Sequence, residues 1–427
     1  MDNRAGLQIF AFALYNGAMT IKVSGLSSDI NRATLLSDRT AAFFSSIEQC
    51  LRESLEPAPS EDYDADLKLI FIASGGSEGK FLNAFDRIRP PVYLLTSGTD
   101  NSLAASVEIL TWLNGKGIPG EILHGSSDYI ARRISAILSG DSAVSGHRSE
   151  SLPVYSSAAL GGTFGVVGTP SDWLIASVPS YDKVFSTFGT KLVDIPMEEL
   201  LEAYRAEPET EENRDGLDFA GARRLENAVL EIRRRHALDG LTIRCFDLLD
   251  SIRTTGCLSL ARLNTDGFIG TCEGDIMSML SMAVVRKVTG QSSFQANPSR
   301  IEVESNSMVL AHCTLPYDMT QSHRFDTHFE SGIGVAVKGE LREEPVTVFR
   351  LSADMRTYWC AEGMIVRNLD EKTLCRTQIE IVLDKPYRVS DILHTPCGNH
   401  HIVFYGRHKE EIGSFLNNKY LKGRNCL

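Results

Sequence analysis

Two carboxylates one residue apart, Glu273 and Asp275, lie in the middle of the chain in the segment TCEGD. His312 follows at the end of a later apolar run, and His400 lies near the C-terminus. A carboxylate combined with distant histidines is a typical ligand set for a divalent metal ion, which can polarise a sugar hydroxyl or carbonyl group. We therefore expect these residues to meet at one metal site.

The two acids also have a purely structural interpretation. The residues after them, 277–288, are mostly apolar and end at Gly290, a pattern typical of a buried helix. Acidic side chains at the start of a helix can cap it and interact favourably with its dipole. From the residues alone, both interpretations of Glu273 and Asp275 stay open.

The histidines have structural alternatives as well, because a lone histidine after a strand, such as His312, is often part of the core. His400 and His401 come directly before a predicted strand at residues 402–405. Adjacent residues of a strand face opposite sides, so we expect at most one of the two to reach a shared site. His328 is a further candidate.

The elements that must position these residues begin with an α/β pattern. Strand-like apolar runs alternate with helical spacing, which predicts a parallel sheet covered on both faces. The predicted strands are residues 7–14, 67–73, 91–95 and 121–125, and the predicted helices are residues 103–114 and 127–138. For residues 7–14 a secretory signal is the alternative interpretation.

A polar stretch at residues 141–151 is a predicted linker to a second α/β segment. Residues 169–173 predict a helix N-terminus capped by serine or aspartate. Two glycine-rich loops, 74–79 and 161–168, lie at strand ends but lack dinucleotide-binding spacing and a Walker lysine, which favours tight turns. The predicted strands here are residues 162–168, 193–196 and 241–246, and the predicted helices are residues 197–204 and 219–237.

From about Asn297 the sequence changes to short alternating runs between turns, which predicts an antiparallel β domain or barrel. The predicted fold is therefore α/β, with two Rossmann-like parallel-sheet domains followed by a C-terminal antiparallel β-barrel-like domain. The expected domains are residues 1–148, residues 149–296 with the acidic motif, and residues 297–427 with the histidines.

The 427 residues are 43% hydrophobic and 23% charged, which is ordinary for a globular protein. A net charge of −12 argues against nucleic acid or an anionic membrane as a partner. No stretch approaches the roughly 18–20 apolar residues of a membrane span. The nine cysteines are scattered without CxxC spacing, which predicts reduced thiols in the cytoplasm rather than a cysteine-rich metal site.

Ordered motifs along most of the chain resemble the L-fucose and L-arabinose isomerases, especially their fucose-isomerase-like branch. The matching segments are TTGCLSLARLN (254–264), TCEGD (271–275), VTGQSSFQANPSR (288–300), NSMVLAHCTLP (306–316) and GNHHIVFYG (398–406), with DNSLAASVEIL (100–110) and GTPSDWL (168–174) closer to the N-terminus. These motifs are specific for the fold and less specific for the activity.

The resemblance implies an enzyme that interconverts aldoses and ketoses with Mn²⁺ bound by acids and histidine. It places the first metal-binding glutamate at Glu273 and the C-terminal histidine at His400, with Asn399 as a substrate contact. The arabinose branch has a further histidine, which corresponds to His312. The resemblance also implies a homo-oligomer, either a hexamer or a trimer.

One position departs from the family pattern. The second metal-binding and catalytic carboxylate belongs just after Phe294, where the nearest matching residue is Asn297. Isomerisation through an enediol needs a group that moves a proton between C2 and C1, and an amide cannot act as a base near neutral pH. Asp275, on the same loop as Glu273, or Asp247, at a strand end, would take over, or the reaction differs.

The leading hypothesis is a metal-dependent sugar isomerase that acts on an open-chain sugar. The alternatives are a non-catalytic sugar-binding or regulatory protein that keeps the fold, and a related sugar epimerase or lyase. The sequence does not identify the sugar, because specificity depends on a few hydrogen-bonding side chains from several loops. The expected roles are metal binding by Glu273, His312 and His400, catalysis by Glu273 and Asp275, and substrate contacts by Asn297, Asn399 and Asp247.

Overall fold

The computed structural model describes residues 19–29, 32–140, 152–154, 160–209 and 213–417. The predicted strand at residues 7–14 and the predicted linker at 141–151 lie outside the described residues. Within the described ranges, no helix has both the length and the apolar composition that crossing a membrane requires.

The N-terminal part forms a five-stranded parallel sheet in the order β2-β1-β3-β4-β5. Strand β3 is buried along its whole length, as expected where helices cover both faces of a sheet. The described elements agree with the three predicted strands and two predicted helices of this range to within two residues, and they include four further helices and strands that the sequence did not predict. They are β1 (Ile21–Leu26), α1 (Asp38–Leu51), β2 (Leu55–Pro57), β3 (Leu67–Ile72), α2 (Glu78–Ala84), β4 (Val92–Thr96), α3 (Ser102–Gly115), β5 (Gly120–Leu123) and α4 (Ser127–Leu138), with 3₁₀ turns at Arg32–Leu36 and Phe85–Arg87.

The middle part contains a second parallel sheet in the order β12-β11-β7-β8. Its elements are β6 (Leu152–Pro153), β7 (Thr163–Val167), α5 (Tyr181–Phe188), β8 (Lys191–Ile195), α6 (Met197–Ala206), β9 (Asn213–Arg214), β10 (Leu217–Asp218), α7 (Phe219–His236), β11 (Gly240–Ile243), α8 (Asp247–Ile252), α9 (Cys257–Thr265), β12 (Ile269–Thr271) and α10 (Ile276–Thr289).

The predicted helix start at residues 169–173 is wrong. Ser171 and Trp173 lie in a turn, closed by a 2.9 Å hydrogen bond from the Leu174 N–H to the Ser171 carbonyl, and the next helix begins only at Tyr181. This loop packs against Gly274, where a Cβ atom would lie 2.7 Å from the Thr169 carbonyl oxygen. The loop therefore covers the acidic motif instead of starting a helix.

The C-terminal part is a closed antiparallel barrel of six strands in the order β17-β20-β13-β14-β19-β18, and β18 pairs back with β17. Strand β6 extends the sheet at β18, and β15 and β16 form a separate hairpin. The elements are β13 (Phe294–Glu302), β14 (Ser307–His312), a 3₁₀ turn (Tyr317–Met319), β15 (Thr320–Asp326), β16 (Ala336–Leu341), β17 (Pro345–Leu351), β18 (Thr357–Asn368), β19 (Thr377–Leu383), α11 (Asp391–His394), β20 (His401–Tyr405) and α12 (Lys409–Leu416). The structure confirms the predicted fold class.

Helix α10 connects the second sheet to the barrel. The side chain of Asp275 caps its N-terminus, and Gly290 ends it with a left-handed conformation (φ 71°). All its residues from Ile276 to Val285 are buried, and the helix packs against β11 and β12 on one side and β17 and β20 on the other. Its capped end therefore lies where the sheet and the barrel meet.

A disulfide joins Cys245 to Cys272, whose Cα atoms are 6.0 Å apart. It links the segment after β11 to the segment after β12. The prediction that the cysteines are reduced thiols is wrong for this pair, because the two residues are distant in sequence and are brought together only by the pairing of their strands.

Candidate active site

A cavity lies where both parallel sheets meet one end of the barrel. The first sheet contributes the loop with Gly75 and Gly76 after β3, and the second contributes Glu273 after β12. The barrel contributes His312 from the end of β14 and Asn399 from just before β20. Ligands of open α/β sheets bind at the carboxyl ends of the strands, which is where these loops lie.

Glu273, His312 and His400 come together as the sequence predicted. Their ligand atoms all lie within 4.8 Å of one another. The Oε1 atom of Glu273 is 3.6 Å from Nε2 of His312 and 3.4 Å from Nε2 of His400. The three residues are at most 9% exposed, and their one carboxylate and two imidazoles are a donor set that suits a divalent transition metal.

The backbone around Glu273 is held in an uncommon conformation. Glu273 and Gly274 both have positive φ angles, 66° and 68°, and the Glu273 carbonyl accepts a 3.1 Å hydrogen bond from the Ser171 N–H. The Trp173 indole N–H donates a 2.6 Å hydrogen bond to Oε2 of Glu273. One carboxylate oxygen is thereby fixed by tryptophan, while the other faces the two histidines.

Asp275 has a different environment from the one expected for a catalytic acid or base. Its carboxylate is fully buried and accepts hydrogen bonds from the Ser278 N–H (2.8 Å) and hydroxyl (2.7 Å) and from the Arg350 guanidinium (3.0 Å). It also contacts Nδ1 of His400 at 2.7 Å. Asp275 does not line the cavity, and its oxygens are engaged in capping α10 and in orienting His400.

The charges of the group stabilise one another. Burial disfavours the charged form of His400, but the Glu273 and Asp275 carboxylates outweigh it and raise the pKa of His400 to about 9. Burial likewise disfavours the Glu273 carboxylate, yet His400 and His312 hold its pKa well below the usual value. Burial lowers the pKa of His312, which favours the neutral imidazole that metals bind.

His400 and His401 point in different directions. His400 faces Glu273, whereas Nδ1 of His401 donates a hydrogen bond to the Asn399 carbonyl (2.9 Å) and its ring packs edge-on against Trp359. His401 is the first residue of β20 and His400 directly precedes that strand, and only His400 reaches the metal-binding group.

Asn297 and Asn399 both line the cavity and are 4% exposed. The Oδ1 atoms of both are buried without a hydrogen-bond partner among the described residues, and the same is true of Nε2 of His400. Buried polar atoms are rarely left unpaired in folded proteins. The two in the cavity wall, together with Nε2 of His400 beside Glu273, indicate a polar or charged ligand.

Asp247 does not line the cavity. It is the first residue of α8, and its carboxylate accepts a 3.1 Å hydrogen bond from the Arg244 guanidinium, which also binds Asp172 at 2.8 Å. Its side chain is 43% exposed. The neighbouring Phe246 faces the cavity instead.

Two carboxylic acids in the cavity were not predicted from the sequence. Glu78, at the start of α2, is 1% exposed, and burial raises its pKa well above the usual value. Glu330 lies in the loop between β15 and β16 and accepts a 2.8 Å hydrogen bond from Nδ2 of Asn101. Burial, together with the charge of Glu273, raises the pKa of Glu330 to about 7. Glu78 lies in the glycine-rich loop 74–79 and Glu330 lies in no sequence motif, and only the fold shows that both carboxyl groups line the cavity.

Glu108 connects three of the segments that surround the cavity. It lies on α3, is completely buried, and accepts hydrogen bonds from the Ala176 N–H (2.7 Å), the Ser177 hydroxyl (2.9 Å) and the Asn399 N–H (3.1 Å). This one carboxylate therefore joins the first sheet to the loop after Trp173 and to the histidine segment.

No protein-family model matches the chain. Three similar proteins, each named sulfoquinovose isomerase, come from Priestia aryabhattai, Alkalicoccus urumqiensis and Clostridium sp. strain MSTE9. The first is 26% identical over 191 residues (42% of this chain and 43% of the relative), the second 24% over 208 residues (44% and 47%), and the third 25% over 254 residues (54% and 57%). The chain thus spans about half the length of the curated relatives that it matches, and its similarity is to sugar isomerases.

Proposed function

We propose that this protein is an aldose–ketose isomerase that acts on an open-chain sugar with a divalent cation, preferentially Mn²⁺. The observation that carries the proposal is the convergence of Glu273, His312 and His400, whose ligand atoms lie within 4.8 Å of one another. Glu273 and His312 also line the cavity. The names of the similar proteins support the same reaction class.

The residues present fit a bound cation. Nε2 of His400 is buried with no hydrogen-bond partner among the described residues, although a carboxylate oxygen lies 3.4 Å away. A cation held by Glu273, His312 and His400 would satisfy this atom. When bound, it would polarise the sugar's carbonyl and hydroxyl oxygens and stabilise the negative charge of the enediolate.

The amides would bind the sugar. The unpaired Oδ1 atoms of Asn297 and Asn399 can accept hydrogen bonds from sugar hydroxyls, which gives these buried atoms the partners they lack. Asn297 cannot be the base, but its place next to the metal group leaves it available as a substrate contact or a weak ligand.

The proton transfer would be carried out by Glu330. In the aldose-to-ketose direction, the base removes the C2 proton, the carbonyl oxygen at C1 gains a proton, and an enediol forms. Glu330, after its proton has exchanged with solvent, then gives a proton to C1. The O2 hydroxyl loses a proton, which balances the one gained by the oxygen at C1. Glu330 lines the cavity, is oriented by Asn101 and has no arginine or lysine partner among the described residues, whereas Glu78 is almost completely buried.

Asp275 would act as a positioning residue. Its hydrogen bond to Nδ1 of His400 turns Nε2 toward Glu273, as partners of metal-binding histidines usually do. This role replaces the direct acid–base role that the sequence suggested. It also combines the two sequence interpretations, because the same carboxylate caps α10.

The chemistry of the cavity favours a neutral, hydroxyl-rich sugar. The described residues that line it include no lysine and no arginine, whereas Glu78, Glu273 and Glu330 all face it. The name of the relatives implies a substrate with a sulfonate group. No lysine or arginine among the described lining residues would pair with that group. Sulfoquinovose therefore belongs in the substrate panel beside neutral aldoses and ketoses.

Solvent-deuterium exchange tests the proposal. The purified chain is stripped with a chelator, supplied with Mn²⁺ and incubated with the panel in D₂O. We expect deuterium at C1 or C2 of one sugar only when Mn²⁺ is present, and no exchange in Glu273→Gln. The absence of metal binding by the intact chain in calorimetry would overturn the proposal.

Product analysis separates the alternatives. A ketose formed from an aldose supports an isomerase, inversion at one carbon indicates an epimerase, and loss of a substituent indicates a lyase. A sugar that shifts the melting temperature without exchange or turnover would favour the non-catalytic alternative, which Asn297 motivates. Glu330 weakens that alternative, because the cavity still contains a carboxyl group.

A further inference from the structure

A second group of metal-ligating side chains lies beside the cavity. Cys257, Cys313 and His328 have ligand atoms that all lie within 4.8 Å of one another. We propose that these three residues bind a soft divalent cation, Zn²⁺, at a site separate from the one formed by Glu273 and the two histidines. This inference does not depend on the proposed isomerase activity.

The three side chains come from distant parts of the sequence. Cys257 is the first residue of α9, Cys313 directly follows β14, and His328 lies in the loop between β15 and β16. They are 2%, 2% and 7% exposed, and the Sγ atoms of the two cysteines are 3.1 Å apart. The spacing of the cysteines along the chain predicts no such site, because only the fold brings them together.

The histidine ring is held in place by its neighbours. Its Nδ1 atom lies 3.0 Å from the Ser331 hydroxyl and accepts a 3.4 Å hydrogen bond from the Ser331 N–H. The ring also packs edge-on against Phe246 at 5.6 Å.

The ligand chemistry distinguishes this site from the first one. Thiolates combined with imidazole select Zn²⁺, whereas carboxylate-containing sites suit harder ions such as Mn²⁺. Three protein ligands leave a fourth tetrahedral position, and Cys313 and His328 both line the cavity. The ion would tie α9, the end of β14 and the Glu330 loop together along one wall of the cavity.

Cobalt provides a direct test, because Co²⁺ replaces Zn²⁺ and shows a thiolate charge-transfer band only when sulfur is a ligand. The full chain is reduced, stripped of metal and titrated with Co²⁺. We expect the band to appear, to be removed by added Zn²⁺, and to be lost in both Cys257→Ser and Cys313→Ser. Native protein should contain zinc that these variants lack.

Two controls separate this site from other effects. Glu273→Gln should keep the cobalt band, because Glu273 belongs to the group with His312 and His400. Loss of metal binding at that group is therefore distinguishable from loss of binding at the cysteines. Cys360→Ser removes a buried thiol that does not line the cavity and should also keep the band. Circular dichroism identifies variants that fail to fold. The variant His328→Gln leaves both thiols in place and should weaken cobalt binding at least tenfold.

Three results would overturn the proposal. One is the absence of a thiolate band in reduced, folded protein. Another is a band that persists in Cys257→Ser and Cys313→Ser. The third is peptide mapping of the native protein that finds Cys257 joined to Cys313 in a disulfide, since both sulfurs would then be unable to bind an ion.

Discussion

The carboxylate of Asp275 lies 2.7 Å from Nδ1 of His400 and accepts its hydrogen bond, so the other nitrogen of the ring faces Glu273. Both side chains are completely buried. Because the same carboxylate caps α10 and pairs with Arg350, the orientation of the histidine depends on the junction between the second sheet and the barrel.

Replacing Asp275 with asparagine should weaken Mn²⁺ binding by about 10- to 100-fold, the usual effect of losing a carboxylate behind a metal-binding histidine. Asparagine also caps helices well, so α10 should remain folded. Isothermal titration calorimetry measures the affinity. Ser278→Ala, which removes another partner of the same carboxylate, is the control and should change the affinity much less.

Replacing Arg350 with methionine should destabilise the fold by about 3–5 kcal/mol, because the Asp275 carboxylate would remain buried without its cationic partner. Arg350 is fully buried and also donates a 2.9 Å hydrogen bond to the Ser177 hydroxyl. Urea denaturation measures the free energy of unfolding. If the pair is coupled, Arg350→Met combined with Asp275→Asn should cost less than the sum of the single changes, and strict additivity would contradict the assignment.

The sequence was sufficient for the elements whose pattern is local. Strand β3 is apolar at every position except Lys68 and α4 has regular helical spacing, so the sequence predicts both almost to the residue. The acidic motif and the histidines of the site were also found, because resemblance relates them across the chain. Residues whose role depends only on packing were not predictable.

Trp173 and Glu330 illustrate the limit. Trp173 binds Glu273 only because the 169–173 segment folds over Gly274 instead of starting a helix. Glu330 reaches the cavity from the loop after β15, a position that no periodicity reveals. The Cys245–Cys272 disulfide similarly depends on the neighbouring positions of β11 and β12.

His124 should make stability depend on pH. Its Nε2 accepts a 3.0 Å hydrogen bond from the Ile301 N–H, which joins the first sheet to the barrel, and burial with the charge of Arg300 lowers its pKa from 6.5 to about 3. The unfolded chain therefore takes up the proton first as the pH falls. The stabilisation is complete above pH 6.5 and is lost toward pH 3, by about 1.4 kcal/mol for each pH unit.

The variant His124→Gln isolates this contribution. Its free energy of unfolding, measured in urea between pH 7.5 and 5, should depend less steeply on pH than that of the unmodified chain. Only the slope matters, because the substitution also changes the baseline stability. Identical slopes would show that folding does not lower the pKa of His124.

Replacing Glu330 with glutamine should lower the turnover number by about 10²- to 10⁴-fold if this residue transfers the proton. Mn²⁺ affinity should change little, because Glu330 is not part of the metal group. Steady-state kinetics and calorimetry on the same preparation measure both quantities. Glu78→Gln is the matched control, and a larger loss in that variant would reassign the base.

Replacing Asn297 with aspartate should make the melting temperature of the protein depend on bound Mn²⁺. Asn297 is buried with an unpaired Oδ1 atom, and its partner on β14 is Ala311, next to His312. Without a cation, a new carboxylate in the cavity that Glu273 also lines would raise the cost of burying charge, so the melting temperature in chelator should fall. With Mn²⁺ bound, the new aspartate adds a ligand. If Mn²⁺ then binds about tenfold more tightly, the free energy of unfolding at saturating metal gains about 1.4 kcal/mol.

The control for this change is Asn264→Asp. Asn264 is also buried, but its amide donates to the Leu260 and Gly270 carbonyls and accepts from the Gly270 N–H. Aspartate there should lower the melting temperature with no recovery in Mn²⁺, because no metal-binding group surrounds it. Equal behaviour of the two variants would mean that Asn297 does not face a cation, whereas recovery in Asn297→Asp alone would place it beside the metal.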